Sequence, residues 1–137
     1  MLFNNMKKID VVAGIIHNNG KIIIAKKSEK HKIIPRKWEF PGGKVEEGES
    51  HEAALMRELL EEMKLKVKVE KFLIKCVHSY DGENEIHLHA YLCKPLNSIK
   101  VLEHEKILWV NPLDLENYDL ALIDKEVASN LIIGGIN

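Results

Sequence analysis

In Arg57-Glu58-Leu59-Leu60-Glu61-Glu62-Met63-Lys64-Leu65, three carboxylates fall at helical spacing. On a helix, Glu58, Glu61 and Glu62 share one face, because side chains three and four apart stack above one another. Like charges so placed repel by about 0.2–0.5 kcal/mol per pair. Such a face is either solvated or it attracts a cation. Taken alone, Arg57 with Glu61 and Glu61 with Lys64 can pair across a turn, which suits a solvated face. The upstream residues point the other way. Glu46, Glu47, Glu49, Glu52, Glu58, Glu61 and Glu62 put seven acids into 17 residues, and Pro41-Gly42-Gly43 precedes them. Glycines let backbone groups come close to a ligand. Carboxylates plus a nearby carbonyl make a hard, all-oxygen site that suits Mg²⁺ or Mn²⁺, especially when phosphate oxygens complete the shell.

These residues need elements to position them. Residues 9–18 are rich in Val and Ile and read as a strand. Asn19-Gly20 is a hairpin turn signal, and KIIIAKK returns from it. Residues 28–37 are polar, contain Pro35, and read as a loop. Ser50 is a good helix N-cap and Glu52 suits the first turn. The helix is predicted to run to about Met63, with Leu55, Leu59 and Met63 as its apolar stripe. Strands are expected at 67–77, 86–93 and 106–110. In the second of these, Ile86, Leu88, Ala90 and Leu92 alternate with His87, His89, Tyr91 and Cys93, which predicts one packed and one polar face. A metal pair formed by His87 and His89 is the less favoured alternative. A last helix is expected over about 124–133, burying Ile123, Val127 and Leu131. Mixed strands with few, separated helices indicate a layered α/β fold.

The 137 residues suit a single domain over 1–137, large enough to bury a core without staples. Twenty Lys and Arg against 21 Asp and Glu argue against an extended nucleic-acid surface. Cys76 and Cys93 lack CxxC spacing and read as buried thiols. No apolar run approaches a membrane span, and the N-terminus lacks the apolar core of a signal peptide. The expectation is a cytoplasmic protein.

The pattern Gly43, five residues, Glu49, seven residues, Arg57-Glu58-Leu59-Leu60-Glu61-Glu62 and then Leu65 resembles the Nudix box. The wider phrase KWEFPGGKVEEGES is similar to the MutT branch, the nucleoside triphosphate pyrophosphohydrolases. The resemblance covers about Ile9 to Leu131. It implies an α/β/α sandwich around a mixed sheet, and Mg²⁺-dependent hydrolysis of a (deoxy)nucleoside triphosphate to the monophosphate and pyrophosphate. An oxidised purine such as 8-oxo-dGTP and a cytosine nucleotide are both open as substrate. Rival readings are dinucleoside polyphosphates, RNA 5′ ends, and a nucleotide-binding module without catalysis. The box carboxylates that such modules tend to lose are all present. Neither an SQPWPFP-like signature nor the proline marker of the ADP-ribose branch is found.

By this resemblance, Glu58, Glu61 and Glu62 bind the divalent metal with the Gly42 carbonyl. Arg57 orients Glu58 or Glu61 through a forked hydrogen bond, and Glu49 is a supporting or auxiliary ligand. Glu103, six residues before Trp109, is a candidate metal ligand or general base, with Glu105 as alternative. Lys44 is expected to contact phosphate, with Lys27 and Arg36 as further cations. Phe40 is a candidate wall for the base, with core packing as its competing role, and Tyr80 is a weaker candidate. Asp124 is either a reader of the base edge or the N-cap of the last helix. One position departs from the box: Lys64 stands where Gly normally ends the helix in a left-handed conformation. A changed helix end with the metal site intact is therefore expected. The assembly is expected to be a monomer or homodimer.

Overall fold

The computed structural model describes residues 6–26, 37–100 and 106–134. Strands β1 (Lys7–Asn18) and β2 (Lys21–Lys26) form the predicted hairpin. At its turn Asn19 and Gly20 both take positive φ, 52° and 77°. Two short strands follow, β3 (Trp38–Glu39) and β4 (Gly42–Lys44), then helix α1 (His51–Met63). Strands β5 (Val67–His78), β6 (Asn84–Pro95) and β7 (Lys106–Val110) complete the sheet. A 3₁₀ turn, Pro112–Asn117, leads into helix α2 (Leu122–Gly134). That turn has its own sequence logic, with Asn111 as cap and Pro112 at its first position.

The seven strands make one mixed sheet with β3, β2, β1, β6 and β5 in order, β4 pairing with β1 and β7 with β2. The β1–β6 pair is parallel and the other pairs are antiparallel. Long β1 shares one edge between two partners. Val11–Ala13 pair with β4, while His17 and Asn18 pair with β2. Alternate side chains of β1 and β6 enter two separate cores. Ala13, Ile15, Leu88, Ala90 and Leu92 pack with α2, and Val12, Ile16 and Cys93 pack with α1. The sheet is thus sandwiched between helices, as expected of an α/β/α layered fold.

Helix α1 starts where Ser50 caps it, its hydroxyl accepting from the Ala53 amide at 3.1 Å. Leu55, Leu59 and Met63 are fully buried, and each contributes about 2 kcal/mol of transfer free energy. The more polar face of β6 is present but covered. His89 is only 9 % exposed and Cys93 is buried, because β6 lies between two strands with a helix over each face. His87 and His89 do not form a pair either. His87 Nε2 lies 2.6 Å from Glu85, and His89 Nε2 lies 3.1 Å from Asp10. Cys76 and Cys93 are free, buried thiols, and burial pushes them up to about 11 and about 12.

The expectation of a changed helix end is corrected. Lys64 itself takes the left-handed conformation, φ 53° and ψ 26°, and the ending is kept. The Lys64 and Leu65 amides reach back to the carbonyls of Leu60 and Leu59 at 3.0 and 3.2 Å. Asn97 holds the residue from outside. Its side chain donates to the Lys64 carbonyl at 3.0 Å and accepts from the Lys66 amide at 2.8 Å. Two anchored peptides offset the cost of a Cβ in this region, which is about 1–2 kcal/mol.

Candidate active site

The carboxylate helix lies against the glycine strand. Gly42 and Gly43 sit opposite Ala13 and Val12 of β1. The contact leaves no room for side chains. A Cβ on Gly42 would come within 1.9 Å of the Val12 carbonyl oxygen, and one on Gly43 within 2.3 Å of the Glu58 carboxyl carbon. Gly43 is therefore the floor on which the Glu58 carboxylate rests. The preceding peptide is pinned from both sides, with Gly14 donating to the Pro41 carbonyl at 2.8 Å and Phe40 donating to Asp124 at 2.9 Å.

Arg57 organises the acids. Its Nε and Nη2 form a fork onto Glu49, at 2.7 and 2.9 Å. Nη1 donates to Glu58 at 3.0 Å and to Glu61 at 3.2 Å, and Nη2 also reaches the Lys44 carbonyl at 3.0 Å. The forked bond expected toward Glu58 or Glu61 is thus made to Glu49. The geometry explains it: Glu49 precedes the helix and can face the guanidinium edge-on, while Glu58 and Glu61 receive single bonds. The Arg57 bonds, then the Glu46 amide, hold the Glu49 carboxyl at about 2, well below its usual 4.5. The same carboxylates hold Arg57 more firmly protonated than usual. One guanidinium therefore ties β4, the loop before α1 and two turns of α1 together. It offsets the repulsion that the sequence spacing implied. Glu62 is largely buried beneath this face, whereas Glu61 is more than half exposed. Glu58 and Glu61, held by one guanidinium, thus form a carboxylate wall beside a close-packed strand, with Glu62 next on the same helix; carboxylate oxygens are the donor type that suits a hard divalent cation.

The other expected residues separate. Lys44 lines an open cleft of about 370 Å³ together with Lys7, Lys8, Asp10, Glu46 and Glu47. Phe40 is 2 % exposed and its side chain packs in the core, the competing role named for it. Asp124 is not the N-cap of α2, which starts two residues earlier at Leu122. It is buried in the first turn and accepts the Phe40 amide. The Tyr80 hydroxyl accepts from the Ile123 amide at 2.9 Å and so serves the helix start. Burial pushes this phenol up to about 12. Tyr80, Asp124 and Phe40 are one junction that ties α2 to the glycine strand. Asp119 joins it from the side. Its carboxylate binds Lys37 at 2.8 Å and its carbonyl accepts from the Trp38 amide at 2.9 Å. Lys27, Arg36, Glu103 and Glu105 lie outside the described residues. Asn97, which secures the end of the carboxylate helix, was missed by sequence reasoning; only its place in the Leu96-Asn97-Ser98 turn marks it.

The NUDIX domain family matches residues 7–131, and the chain belongs to that family as a Nudix hydrolase. Among its relatives, the CTP pyrophosphohydrolase of Escherichia coli strain K12 is 37 % identical over 120 residues, 87 % of each chain. The solution structure of the E. coli ORF135 protein superposes with a TM-score of 0.85 at 32 % identity, covering 97 % of this chain and 94 % of that one. The solution structure of the MutT protein from methicillin-resistant Staphylococcus aureus 252 gives 0.76 at 36 % identity, covering 95 % and 99 %.

Proposed function

We propose that this enzyme hydrolyses a nucleoside triphosphate to the monophosphate and pyrophosphate, with a cytosine nucleotide as its first candidate substrate. The observation that carries the reading is the carboxylate wall of α1, where Arg57 holds Glu58 and Glu61 and Glu58 packs against Gly43. Its likeness to the CTP pyrophosphohydrolase supports the choice of base.

In this reading, Glu58, Glu61, Glu62 and the Gly42 carbonyl would hold Mg²⁺ or Mn²⁺. A divalent ion bound there supplies charge neutralisation on phosphate oxygens and acidifies an attacking water. The chain's own residues do the rest. Arg57 fixes the directions of the Glu58 and Glu61 carboxylates, so that little reorganisation remains when substrate binds. Lys44, on the lysine-bearing cleft, meets the phosphate chain. Glu103 is the proposed acid–base group, with Lys27 as a further contact to the nucleotide. The base is placed near the junction of Phe40, Tyr80 and Asp124, with Asp124 holding the glycine strand in register. Water adds to phosphorus, one phosphoanhydride bond breaks, and pyrophosphate leaves with its electron pair. A cytoplasmic location goes with this reading; the two cysteines, buried in separate cores, call for no oxidising compartment. Among the described residues, no helix is long and apolar enough to cross a membrane.

The test is pyrophosphate release with Mg²⁺ over CTP, dCTP, dGTP, 8-oxo-dGTP, dATP and a diadenosine polyphosphate, compared by kcat/KM. Cytosine nucleotides are expected to lead, and Glu61→Gln to lower turnover by about 100-fold while binding persists. No release over the whole panel would favour a nucleotide-binding module.

A further inference from the structure

Three side chains outside this wall converge at the other end of α1. Asp10 is on β1, His89 is on the adjacent parallel strand β6, and His51 is the first residue of α1. The register explains the meeting. Val12 is the partner of His89, and the strand side that carries Val12 and Cys93 faces α1, so Asp10 and His89 lie diagonally on that face. The Ser50 cap then starts the helix with His51 above them. One ligand atom of each residue lies within 4.8 Å of the other two. His89 Nε2 is 3.1 Å from Asp10 Oδ1, and the two imidazole centroids are 4.0 Å apart with a 36° tilt.

We propose that Asp10, His51 and His89 form a second divalent-metal site, taking a transition ion of the zinc class. Two imidazoles and one carboxylate match the preference of borderline ions, whereas the Glu58–Glu61–Glu62 wall offers only oxygen. The two sites are distinct. Seven helical residues separate His51 from Glu58, roughly 10 Å along the axis. Bonds of about 2.0–2.2 Å place tetrahedral ligands about 3.3 Å apart, so the three atoms must close slightly. His51 is only half-buried and has the freedom to do so. Lys8, 3.9 Å from Asp10, is the cation that the ion would displace, and Lys75, the β5 partner of His89, is a further positive charge nearby. Three protein ligands leave a further position open for water or a phosphate oxygen. Asp10 also borders the lysine-lined cleft, so that position is within reach of an anion held there. An ion so bound pins the start of α1 to the β1–β6 pair.

The experiment titrates the full chain with Zn²⁺ in excess Mg²⁺, using a chromophoric chelator as competitor and thermal melting as second readout. A single equivalent is expected to bind and to raise Tm. His51→Ala and Asp10→Asn should each weaken Zn²⁺ binding by at least about tenfold, the scale seen even for groups one step removed from a metal. His51→Ala should keep its Mg²⁺-dependent pyrophosphate release. Zn²⁺ binding unchanged in both variants, or absent from wild type when Mg²⁺ is present, overturns the proposal. Should the variants fail to fold, Co²⁺ added to wild type decides. Intense visible bands of a low-coordinate, nitrogen-bound ion support the site, and the weak spectrum of a six-oxygen ion overturns it.

Discussion

Two adjacent glycines should fail in different ways, and the contrast tests how the active site is built. At Gly43 an added Cβ lands 2.3 Å from the Glu58 carboxyl carbon and 2.4 Å from one of its oxygens. An ordinary contact is about 3.5 Å, so in Gly43→Ala the carboxylate must retreat by more than about 1 Å. Val12, paired behind Gly43, blocks the alternative of moving the strand. A displacement of that size at a reacting group costs about 100-fold, near 2.7 kcal/mol on the barrier. At Gly42 the added Cβ lands 1.9 Å from a backbone oxygen of the neighbouring strand. Nothing flexible can yield there, so β4 must separate from β1. Overpacking of this kind costs about 1–3 kcal/mol, or about 4–12 °C in Tm for a chain of this length. The assay pairs kcat and KM for CTP with Mg²⁺ against Tm. Gly43→Ala should lose kcat with Tm within about 2 °C of wild type, while Gly42→Ala should lose Tm first. A folded Gly43→Ala enzyme with kcat within about twofold of wild type would refute the idea that Glu58 needs its glycine floor.

Lys64→Gly should raise stability by about 1 kcal/mol, seen as a Tm gain of about 4 °C, because Gly takes the left-handed conformation without a Cβ clash. An unchanged or lower Tm would show that the Asn97 clamp had already removed the strain. Acidification should separate wild type from Glu49→Gln. The Glu49 carboxyl is held at about 2 against 4.5, so its contribution is fully present above pH 4.5 and is lost as pH falls through about 2. The Tm difference between the two proteins should shrink across that window, and a constant difference would remove the Arg57 pairing as its source. Tyr80→Phe deletes the acceptor of the Ile123 amide and should cost about 1 kcal/mol. Thermal melting reads it directly, and a Tm within 1 °C of wild type would mean that water replaces the hydroxyl.

The parts of the site that were legible in the sequence are those set by short spacing. Ser50, Leu55, Leu59 and Met63 define a helix and its buried side within 14 residues, so the same stretch also fixes where Glu58, Glu61 and Glu62 point. The Asn-Gly turn fixes the β1–β2 hairpin for the same reason. Lys64 shows the limit of a residue rule even at short range. Its type predicted a changed helix end, yet the outcome depended on Asn97, 33 residues further on, which holds the Lys64 carbonyl.

Contacts set by register across the sheet were not legible, and these decide the remaining roles. The alternation in β6 predicts its two faces correctly but cannot say that both are covered; that depends on β6 lying between β1 and β5. Asp124 has the right type for a cap, but a helix start two residues earlier turns its carboxylate to the Phe40 amide, 84 positions away in sequence. Asp10, His51 and His89 carry no local motif at all. Their meeting needs the parallel pairing of β1 with β6 and the Ser50 cap together. Short-range pattern therefore supplied the carboxylates, while long-range register determines which acids are tied off as structure. Asp124 belongs to the second group, whereas Glu49 is tied off locally by Arg57, eight residues on. Each carboxylate is engaged in positioning a backbone or guanidinium next to the carboxylate wall, so their loss should disturb catalysis through the placement of Glu58 and Gly43.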